Sequence, residues 1–477
     1  MERLTLLCLT IGLVVATPLL AQPDSLWSRT YGGGANDWCN SVVQTADGGY
    51  ALAGITLSFG AGEADFWLVR TSENGDSLWS RTYGGSYWDG CLSFIQTADG
   101  GFALAGYTSS FGAGSYDFWF VRTNESGDSL WSRTYGGEGE EVCNSLIQTA
   151  DGGFELAGYS YSLEAGYSDF WLVRTDENGD SLWSRTFDGG YGDVCHSIIQ
   201  TTDGGLALAG STLSGLEELR SYFWLVWTGA NGDSLRSRTF GWEGICNSVI
   251  QTADRGYALA GVIGYGEEGG DWYLVQLDEN GDSLWSRTYN GSAWQDICWT
   301  LLQTADGGYT LAGSAGSDIW LVRTDENGDS LWSLTFGGRS NDDCNSLIQT
   351  VDGGYALAGY TDSFGAGWDD FYLIKLGPEN SVPDAEVTAP LHFGLDAVYP
   401  NPFNATAVVG YRLSVVGWVE LGLYDLNGRL VQTLFEGWQE AGSHQAVIDG
   451  TQLPSGVYLL RLSSGNQVAL GKVCLVK

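Results

Sequence analysis

Carboxylate side chains recur in this sequence with a period of about 52 residues, and they are the groups best suited to chemistry. One series lies two positions before a repeated Cys, at Asp37, Asp89, Glu141, Asp193, Asp296 and Asp342, with Glu243 three positions before it in the fifth repeat. The other opens a repeated Asp-Phe-Trp-like phrase, at Asp65, Asp117, Asp169, Asp271, Asp318 and Asp370, with Ser221 interrupting the series. Such acids cap turns by accepting backbone N–H bonds, or they bind cations and cationic ligands. Both interpretations stay open on the sequence alone.

Side chains for acid–base or nucleophilic catalysis are scarce. The histidines are His196, His392 and His444. His196 follows Cys195, but adjacent strand residues point to opposite faces, so the two do not predict a dyad. A glycosidase-like pair of carboxylates is the remaining enzymatic hypothesis. An active site is normally single, whereas these acids repeat in every unit. We therefore predict no catalytic residue, no metal centre and no cofactor, with calcium as the one candidate ion.

A single cysteine recurs in each repeat, at Cys39, Cys91, Cys143, Cys195, Cys246, Cys298 and Cys344. Buried free cysteine behaves as a compact hydrophobic residue, and we expect that role here. Disulfides between neighbouring repeats are an alternative, but an odd number would leave one thiol unpaired. A thiolate metal ring is a further alternative, although a closed zinc site requires about four converging ligands.

The repeats differ most in the loops that follow their second and fourth strands, and rigid scaffolds usually bind ligands through such loops. In an up-and-down meander these loops lie on one face, together with both acidic series. We call this predicted surface the acidic face. Its candidate ligand-binding residues are Asp37, Asp65, Asp89, Asp117, Asp193, Glu217, Glu218, Trp242, Glu243, Glu267, Glu268 and Trp294.

The elements that position these residues are short antiparallel strands. In the first unit, Cys39–Thr45, Tyr50–Thr56, Asp65–Thr71 and Asp76–Tyr83 each have the composition of a strand. Asp47-Gly48-Gly49 and Asn74-Gly75 supply the intervening turns, because Asn-Gly tolerates positive φ. Four strands with turn signals at this spacing predict a small meander.

Side-chain sizes predict how seven such meanders pack. The second strand is rich in Ala and Gly, whereas the third and fourth carry Trp, Phe and Arg, and wedges of this shape stack radially in a β-propeller. The first repeated phrase, Asp24–Tyr31, is a lone fourth strand, and the seventh unit, Cys344–Leu376, lacks one. We therefore predict a seven-bladed all-β propeller over 22–376, with four-stranded blades, in which the N-terminal strand closes blade seven and removes the free edges.

Charge and hydropathy exclude several classes of function. Lys and Arg total 21 against 58 Asp and Glu, a net charge of −37, so the surface repels nucleic acids and anionic membranes. Residues 1–21 have the apolar run and small residues of a signal peptide, which predicts export. No later stretch is long and apolar enough to predict a transmembrane helix.

Composition changes after the last repeat. Residues 377–393 are rich in Pro and acids and predict a linker. The tail, 394–477, contains Tyr399-Pro-Asn-Pro-Phe403, Leu423-Tyr-Asp-Leu-Asn-Gly-Arg429 and Leu453-Pro-Ser-Gly-Val-Tyr458. These phrases resemble the C-terminal sorting domain of the type IX secretion system, a small Ig-like sandwich. The resemblance implies passage through the type IX machinery to the outer-membrane surface or the medium.

The repeats themselves, with Gln-Thr-x-Asp-Gly-Gly followed by Ala-Gly, resemble secreted β-propeller repeat proteins of Bacteroidetes-type bacteria. That resemblance implies a scaffold and transfers no catalytic residue. We predict a surface-displayed or released, non-enzymatic binding or adhesion module for glycan or protein. The alternatives are a polysaccharide hydrolase or lyase that uses acidic-face carboxylates, and a structural surface component.

Overall fold

The computed structural model describes residues 22–161, 167–214, 220–264, 269–291, 296–379, 394–399, 401–413, 417–426, 428–439, 442–464 and 467–477. The predicted signal peptide and most of the predicted linker lie outside these ranges. The chain divides into two compact units, with one boundary between residues 380 and 381. The described residues contain strands and turns, and none forms a helix long and apolar enough to cross a membrane.

The described residues between 22 and 379 form seven four-stranded antiparallel sheets, which we number as blades in chain order. Strand β1 is Ser25–Tyr31 and belongs to the last blade. The others are, for blade one, β2 Asp37–Gln44, β3 Tyr50–Thr56, β4 Asp65–Thr71 and β5 Ser77–Tyr83; for blade two, β6 Asp89–Gln96, β7 Phe102–Thr108, β8 Asp117–Thr123 and β9 Ser129–Tyr135; for blade three, β10 Glu141–Gln148, β11 Phe154–Ser160, β12 Asp169–Thr175 and β13 Ser181–Phe187; for blade four, β14 Asp193–Gln200, β15 Leu206–Ser214, β16 Arg220–Thr228 and β17 Ser234–Phe240; for blade five, β18 Gly244–Gln251, β19 Tyr257–Ile263, β20 Asp271–Leu277 and β21 Ser283–Tyr289; for blade six, β22 Asp296–Gln303, β23 Tyr309–Ala315, β24 Asp318–Thr324 and β25 Ser330–Phe336; for blade seven, β26 Asp342–Gln349, β27 Tyr355–Thr361 and β28 Asp370–Leu376.

Each blade is a meander whose turns follow from its sequence. Asn74-Gly75 joins the third and fourth strands of blade one, and Gly75 has φ of 77°, a left-handed conformation that glycine adopts without strain. Asp47 stabilises the turn before the second strand, because its Oδ1 accepts hydrogen bonds from Thr45 Oγ1 at 2.7 Å and from the Gly49 N–H at 3.2 Å. These local contacts explain why closely similar phrases recur in every blade.

Radial closure is confirmed. Strand β2 packs against β6 of blade two and against β26 of blade seven, so the innermost strands form a ring. The N-terminal strand pairs antiparallel with β28, with Tyr31 opposite Phe371 and Ser25 opposite Leu376. The last sheet therefore has the order β1-β28-β27-β26, in which residues from both ends of the propeller complete one blade.

Close strand contacts within a blade and large aromatic side chains between blades together give the packing that the wedge shape requires. Gly54 lies so close to the neighbouring strand that a Cβ would collide with the Trp38 carbonyl oxygen. Phe66 of blade one packs on Trp119 of blade two at a centroid distance of 4.5 Å, and Trp67 packs on Phe371 of blade seven at 4.6 Å. Such aromatic pairs bury large apolar areas, and they stabilise the ring at its blade boundaries.

Two details of the predicted strands are wrong. The innermost strand of blade one begins at Asp37 and not at Cys39, since Asp37 pairs with Thr56. In blade four, Tyr222 and not Ser221 occupies the position of Asp65, because Tyr222 pairs with Thr212 as Asp65 pairs with Thr56. The phrase Phe223-Trp224-Leu225-Val226, which matches Phe66-Trp67-Leu68-Val69, agrees with this register.

The C-terminal unit is a two-sheet sandwich. One sheet has the order β29-β30-β33 and the other β32-β31-β34-β35. The strands are β29 Gly394–Tyr399, β30 Thr406–Leu413, β31 Gly417–Tyr424, β32 Leu430–Gln439, β33 Gly442–Asp449, β34 Gly456–Ser464 and β35 Gln467–Leu475. Buried residues of both sheets, such as Val409, Leu421 and Leu460, form one apolar core. The predicted small β-sandwich is confirmed.

Candidate ligand-binding site at the axial channel

A β-bulge in every innermost strand directs one side chain toward the axis of the ring. In blade one the register shifts between Cys39 and Ser41, and the same shift follows the Cys of each other blade. Bulges re-aim side chains, and here they present the residue after each Cys to the axial channel. These channel residues are Asn40, Leu92, Asn144, His196, Asn247, Trp299 and Asn345.

The asparagines among them join neighbouring blades. Asn40 Nδ2 donates to the Cys91 carbonyl at 2.8 Å, and Asn345 Nδ2 donates across the ring closure to the Cys39 carbonyl at 2.9 Å. Asn144 and Asn247 make the equivalent bonds to Cys195 and Cys298. Asparagine at this position therefore has a structural role, which separates it from the channel residues that depart from the repeat.

The channel residues that depart from the repeated Asn are Leu92, His196 and Trp299. Together with the asparagines they line a cavity of about 460 Å³ at the axis. Its walls include Trp38, Trp299 and Tyr360, with Asp343 and His196 as further polar groups. Asp343 directly follows Asp342, the first residue of β26, so the cavity lies toward the end of the channel where the innermost strands begin. A concave site with aromatic walls and a few polar groups is the usual form of a small-ligand site.

Asp343 is the most strongly organised polar group of this cavity. Its carboxylate accepts a hydrogen bond from Trp299 Nε1 at 3.0 Å and another from Tyr360 Oη at 3.4 Å. Burial raises the pKa of Asp343 to about 6. Burial also lowers the pKa of His196 to about 4, so its imidazole is neutral at pH 7. The cavity therefore offers one titratable acid and one neutral ring beside aromatic faces.

The predicted acids of the innermost strands are buried and hydrogen-bonded within their own blades. Asp37 Oδ2 accepts from the Gly33 N–H at 2.9 Å and from Ser58 Oγ at 2.8 Å, while Thr56 Oγ1 donates to Oδ1 at 2.5 Å. Asp89 makes the equivalent bonds to Gly85 and Thr108. Asp193 accepts from the Gly189 N–H at 2.6 Å. These contacts match the turn-capping interpretation of this series.

The acids that open the third strands lie beside the first series at the blade boundaries. Asp65 and Asp117 are buried, and the Ala61 and Ala113 N–H groups donate to their Oδ2 atoms at 2.8 and 3.0 Å. Burial raises the pKa of both, and the neighbouring acids Asp89 and Glu141 raise them further. In blade three, burial with Asp188 and Asp193 raises the pKa of Asp169 to about 6.

Of the remaining predicted ligand residues, Trp242 and Glu243 are described by the structure and the others are not. Trp242 is 59% exposed, and Arg220 lies over its ring at 5.4 Å while pairing with Glu243 at 3.0 Å. The loop residues Glu217, Glu218, Glu267, Glu268 and Trp294 lie outside the described residues. The contacts at Trp242 and Glu243 are made within the chain, and ligand binding by this set stays a prediction.

The repeated cysteines pack in the core of the ring. All seven are free and buried, and Cys39 Sγ donates to the Ser41 carbonyl at 3.5 Å. Burial raises the pKa of every one of these thiols, which favours the protonated form. In the described ranges, the one group of three or more His, Cys, Asp or Glu side chains placed to hold a metal ion is Asp169, Asp188 and Asp193.

Sequence reasoning missed Trp38, Trp299, Asp343 and Tyr360. A signal for two of them was present, because Trp299 replaces the repeated Asn and Asp343 replaces an aliphatic or aromatic residue at its position in most blades. His196 was noticed and treated as a tolerated substitution. The departures were not combined, because the residues come from blades four, six and seven and meet only at the axis.

Comparison with known proteins identifies the tail. Residues 397–476 match the family described as the secretion system C-terminal sorting domain. No curated protein matches the chain.

Solved structures resemble the chain at low identity. A Bacteroides caccae protein of unknown function is 16% identical, covers 60% of this chain and 93% of its own, and has a TM-score of 0.39. A Dyadobacter fermentans protein of unknown function is 10% identical, with coverages of 76% and 100% and a TM-score of 0.45. Drosophila Plexin A, solved with Semaphorin 1b, is 8% identical, with coverages of 75% and 88% and a TM-score of 0.43. The fold assignment rests on the blades and their closure, and the tail match places the protein among the type IX secretion substrates that reach the cell surface or are released.

Proposed function

We propose that this protein is an exported, non-enzymatic binding propeller whose ligand is a carbohydrate held in the axial cavity. The observation that carries the proposal is the convergence of Trp299, Asp343 and His196, three departures from the repeat, in one aromatic-walled cavity. Radial closure brings these strand positions to the axis, and the residue types found there, an indole, a carboxylate and an imidazole, suit a polar ligand with an apolar face. The sorting domain supports delivery to a place where extracellular glycans are available.

The chemistry of the cavity favours a sugar. A sugar ring has an apolar C–H face that packs on an aromatic ring, and hydroxyl groups that need donors and acceptors. Trp38 and Trp299 supply aromatic faces, and Asp343 supplies acceptor oxygens already held in place by Trp299 and Tyr360. The arrangement binds without requiring a nucleophile.

Hydrolysis of a glycan is the second candidate, and one observation favours it. Asp343 is a single, unrepeated acid whose pKa burial raises to about 6, the property of a general acid. Asp369 lies beside the same Tyr360 and accepts a hydrogen bond from Trp38 Nε1 at 2.8 Å. Two acids flanking a sugar are the minimum for glycoside cleavage.

The test is a glycan array followed by calorimetry with the best hit. Trp299→Asn restores the residue of blades one, three, five and seven, and we expect it to weaken binding about tenfold, since an aromatic contact contributes roughly 1 kcal/mol. Trp368→Asn is the matched control, because Trp368 is 68% exposed and does not line the cavity. An equal loss of affinity in both variants would show that the ligand does not bind in the cavity. Product release that disappears in Asp343→Asn would instead establish the hydrolase.

A further inference from the structure

The two acidic series meet in pairs at the boundaries between blades. The Asp89 N–H donates to the Ala64 carbonyl at 2.9 Å, which brings Asp65 of blade one beside Asp89 of blade two. A Cβ built on Gly84 would collide with Asp65 Oδ1 and would lie 2.9 Å from Asp89 Oδ2. Both carboxylates therefore border the same small space at this boundary.

The boundary that closes the ring has the same arrangement. The Asp37 N–H donates to the Asp369 carbonyl at 2.6 Å, which places Asp370 of blade seven beside Asp37 of blade one. A Cβ on Gly32 would collide with Asp370 Oδ1 and would lie 2.8 Å from Asp37 Oδ2. Gly136 and Gly337 lie beside Asp117–Glu141 and Asp318–Asp342 in the same way, so four boundaries present an acidic pair next to a glycine. The Asp65–Asp89 and Asp370–Asp37 boundaries have one further feature in common.

At both boundaries one buried oxygen has no hydrogen-bond partner. Asp65 and Asp370 are each 1% exposed, and the Oδ1 atom of each, the one that faces its partner acid, is without a donor. Among the described residues, no Lys or Arg pairs with Asp65, Asp89, Asp370 or Asp37. A buried carboxylate oxygen that faces a second carboxylate is costly unless a positive group lies between them.

At the three boundaries that lack this glycine arrangement, the glycine position or the acids have changed. Asn290 stands where Gly84 stands, and its Nδ2 donates to Asp271 Oδ1 at 2.8 Å, the counterpart of the unpartnered Asp65 atom. Between blades four and five both acids are lost together, as Tyr222 and Gly244, and the Arg220–Glu243 ion pair lies there instead. Between blades three and four a third carboxylate, Asp188, joins the pair within 4.8 Å. The acids vary as a unit, as ligands of one shared group do.

We propose that the acidic pairs Asp65–Asp89 and Asp370–Asp37 each bind a calcium ion that links adjacent blades. The available ligands are carboxylate oxygens, the donors that Ca²⁺ prefers, and water completes its irregular shell. Soft ligands do not compete, because the nearby cysteines are buried as protonated thiols in the core. Calcium is abundant outside cells, where the tail directs this protein, and sites in extracellular modules have dissociation constants of about 10⁻⁴–10⁻³ M.

The test counts calcium bound to the full chain by equilibrium dialysis at pH 7.5 after chelation. Asp65→Asn and Asp370→Asn should each remove one ion, and the double variant should remove two. Gly84→Asn copies Asn290: its Cβ requires the Asp65 carboxylate to shift, and its amide should then occupy the place of the ion and remove one, with circular dichroism as the check that the fold is kept. Asp362→Asn, an exposed acid, is the matched control and should leave the count unchanged.

Thermal unfolding provides the second measurement. Millimolar CaCl2 should raise the midpoint of the unaltered protein above that in MgCl2 of equal ionic strength, and the rise should shrink in Asp65→Asn and Asp370→Asn. Absence of saturable binding, or equal counts in the unaltered protein and the double variant, overturns the proposal. The two acids of each pair would then share a proton.

Discussion

Single residues that depart from the repeat carry most of the information about chemistry in this protein. Glu155 is an example outside the cavity, since the equivalent positions hold Ala51, Ala103, Ala207, Ala258 and Ala356, or Thr310. Its side chain is 3% exposed, lies 3.3 Å from Arg174 Nε, and leaves Oε2 without a partner. Burial raises the pKa of Glu155 to about 8.

Glu155→Ala should therefore stabilise the protein more at pH 8.5 than at pH 5. The folded state holds a proton on Glu155 between about pH 4.5 and 8 and the unfolded state does not, so unfolding free energy falls as pH rises through that window. Alanine removes this loss, with a gain on the order of 1–3 kcal/mol. Urea denaturation at both pH values measures it. Glu155→Gln separates charge from size, and a gain that does not change with pH in either variant would contradict the titration argument.

At the scale of the element, each blade pairs a basic or polar residue of its third strand with a Trp of its fourth, and blade four reverses the pair. Arg70 lies opposite Trp79 in blade one, whereas Trp227 lies opposite Arg236 in blade four. The guanidinium of Arg236 sits 4.3 Å above the Trp227 ring and donates to the Asn280 and Glu279 carbonyls at 2.7 Å each. The reversed pair thus contacts the next blade through Arg236.

Either Trp227→Arg or Arg236→Trp alone should lower the free energy of unfolding, whereas the double variant, which restores the pair of the other blades, should leave it nearly unchanged. Trp227→Arg places two guanidinium groups opposite each other, and Arg236→Trp crowds two indoles, so each should cost about 1–3 kcal/mol. The double variant recreates the Arg–Trp pair beside Asp203, which corresponds to Asp47 of blade one. A double-mutant cycle by urea denaturation should show a coupling close to the sum of the two single losses, roughly 2–6 kcal/mol. Additive losses would show that the two positions act separately.

At the scale of the whole molecule, stability depends on closing the ring with a strand from the opposite end of the propeller. Strand β1 supplies the outer edge of blade seven, and Tyr31 Oη also donates to the Gly75 carbonyl of blade one at 2.6 Å. Every other blade takes its four strands from one continuous segment. Blade seven is therefore the one that chain truncation can open.

Deleting residues 22–31 should lower the thermal midpoint and promote association, because β28 becomes an unpaired edge. Thermal unfolding and size-exclusion chromatography measure the two effects. A synthetic peptide of residues 22–34 added in trans should restore the midpoint, while a scrambled peptide serves as the control. An unchanged midpoint in the deletion variant would mean that the closing strand contributes nothing to the stability of the ring.

The sequence by itself determined the blade, its turns, the number of blades and the origin of the closing strand, because these features follow from local patterns repeated about every 52 residues. It also located the acidic positions and, by resemblance, the sorting tail. One position was misassigned to Ser221, although the phrase Phe223-Trp224-Leu225-Val226 places Tyr222 there in the sequence itself.

Tertiary structure alone decided which of these residues meet. Asp65 and Asp89 belong to different blades, and their approach depends on the angle between two packed sheets. Trp299, Asp343 and His196 come from three blades and share one cavity because radial closure brings every innermost strand to the axis. A repeat pattern records what each unit has in common, whereas a site built from the differences between units exists only after the ring has closed.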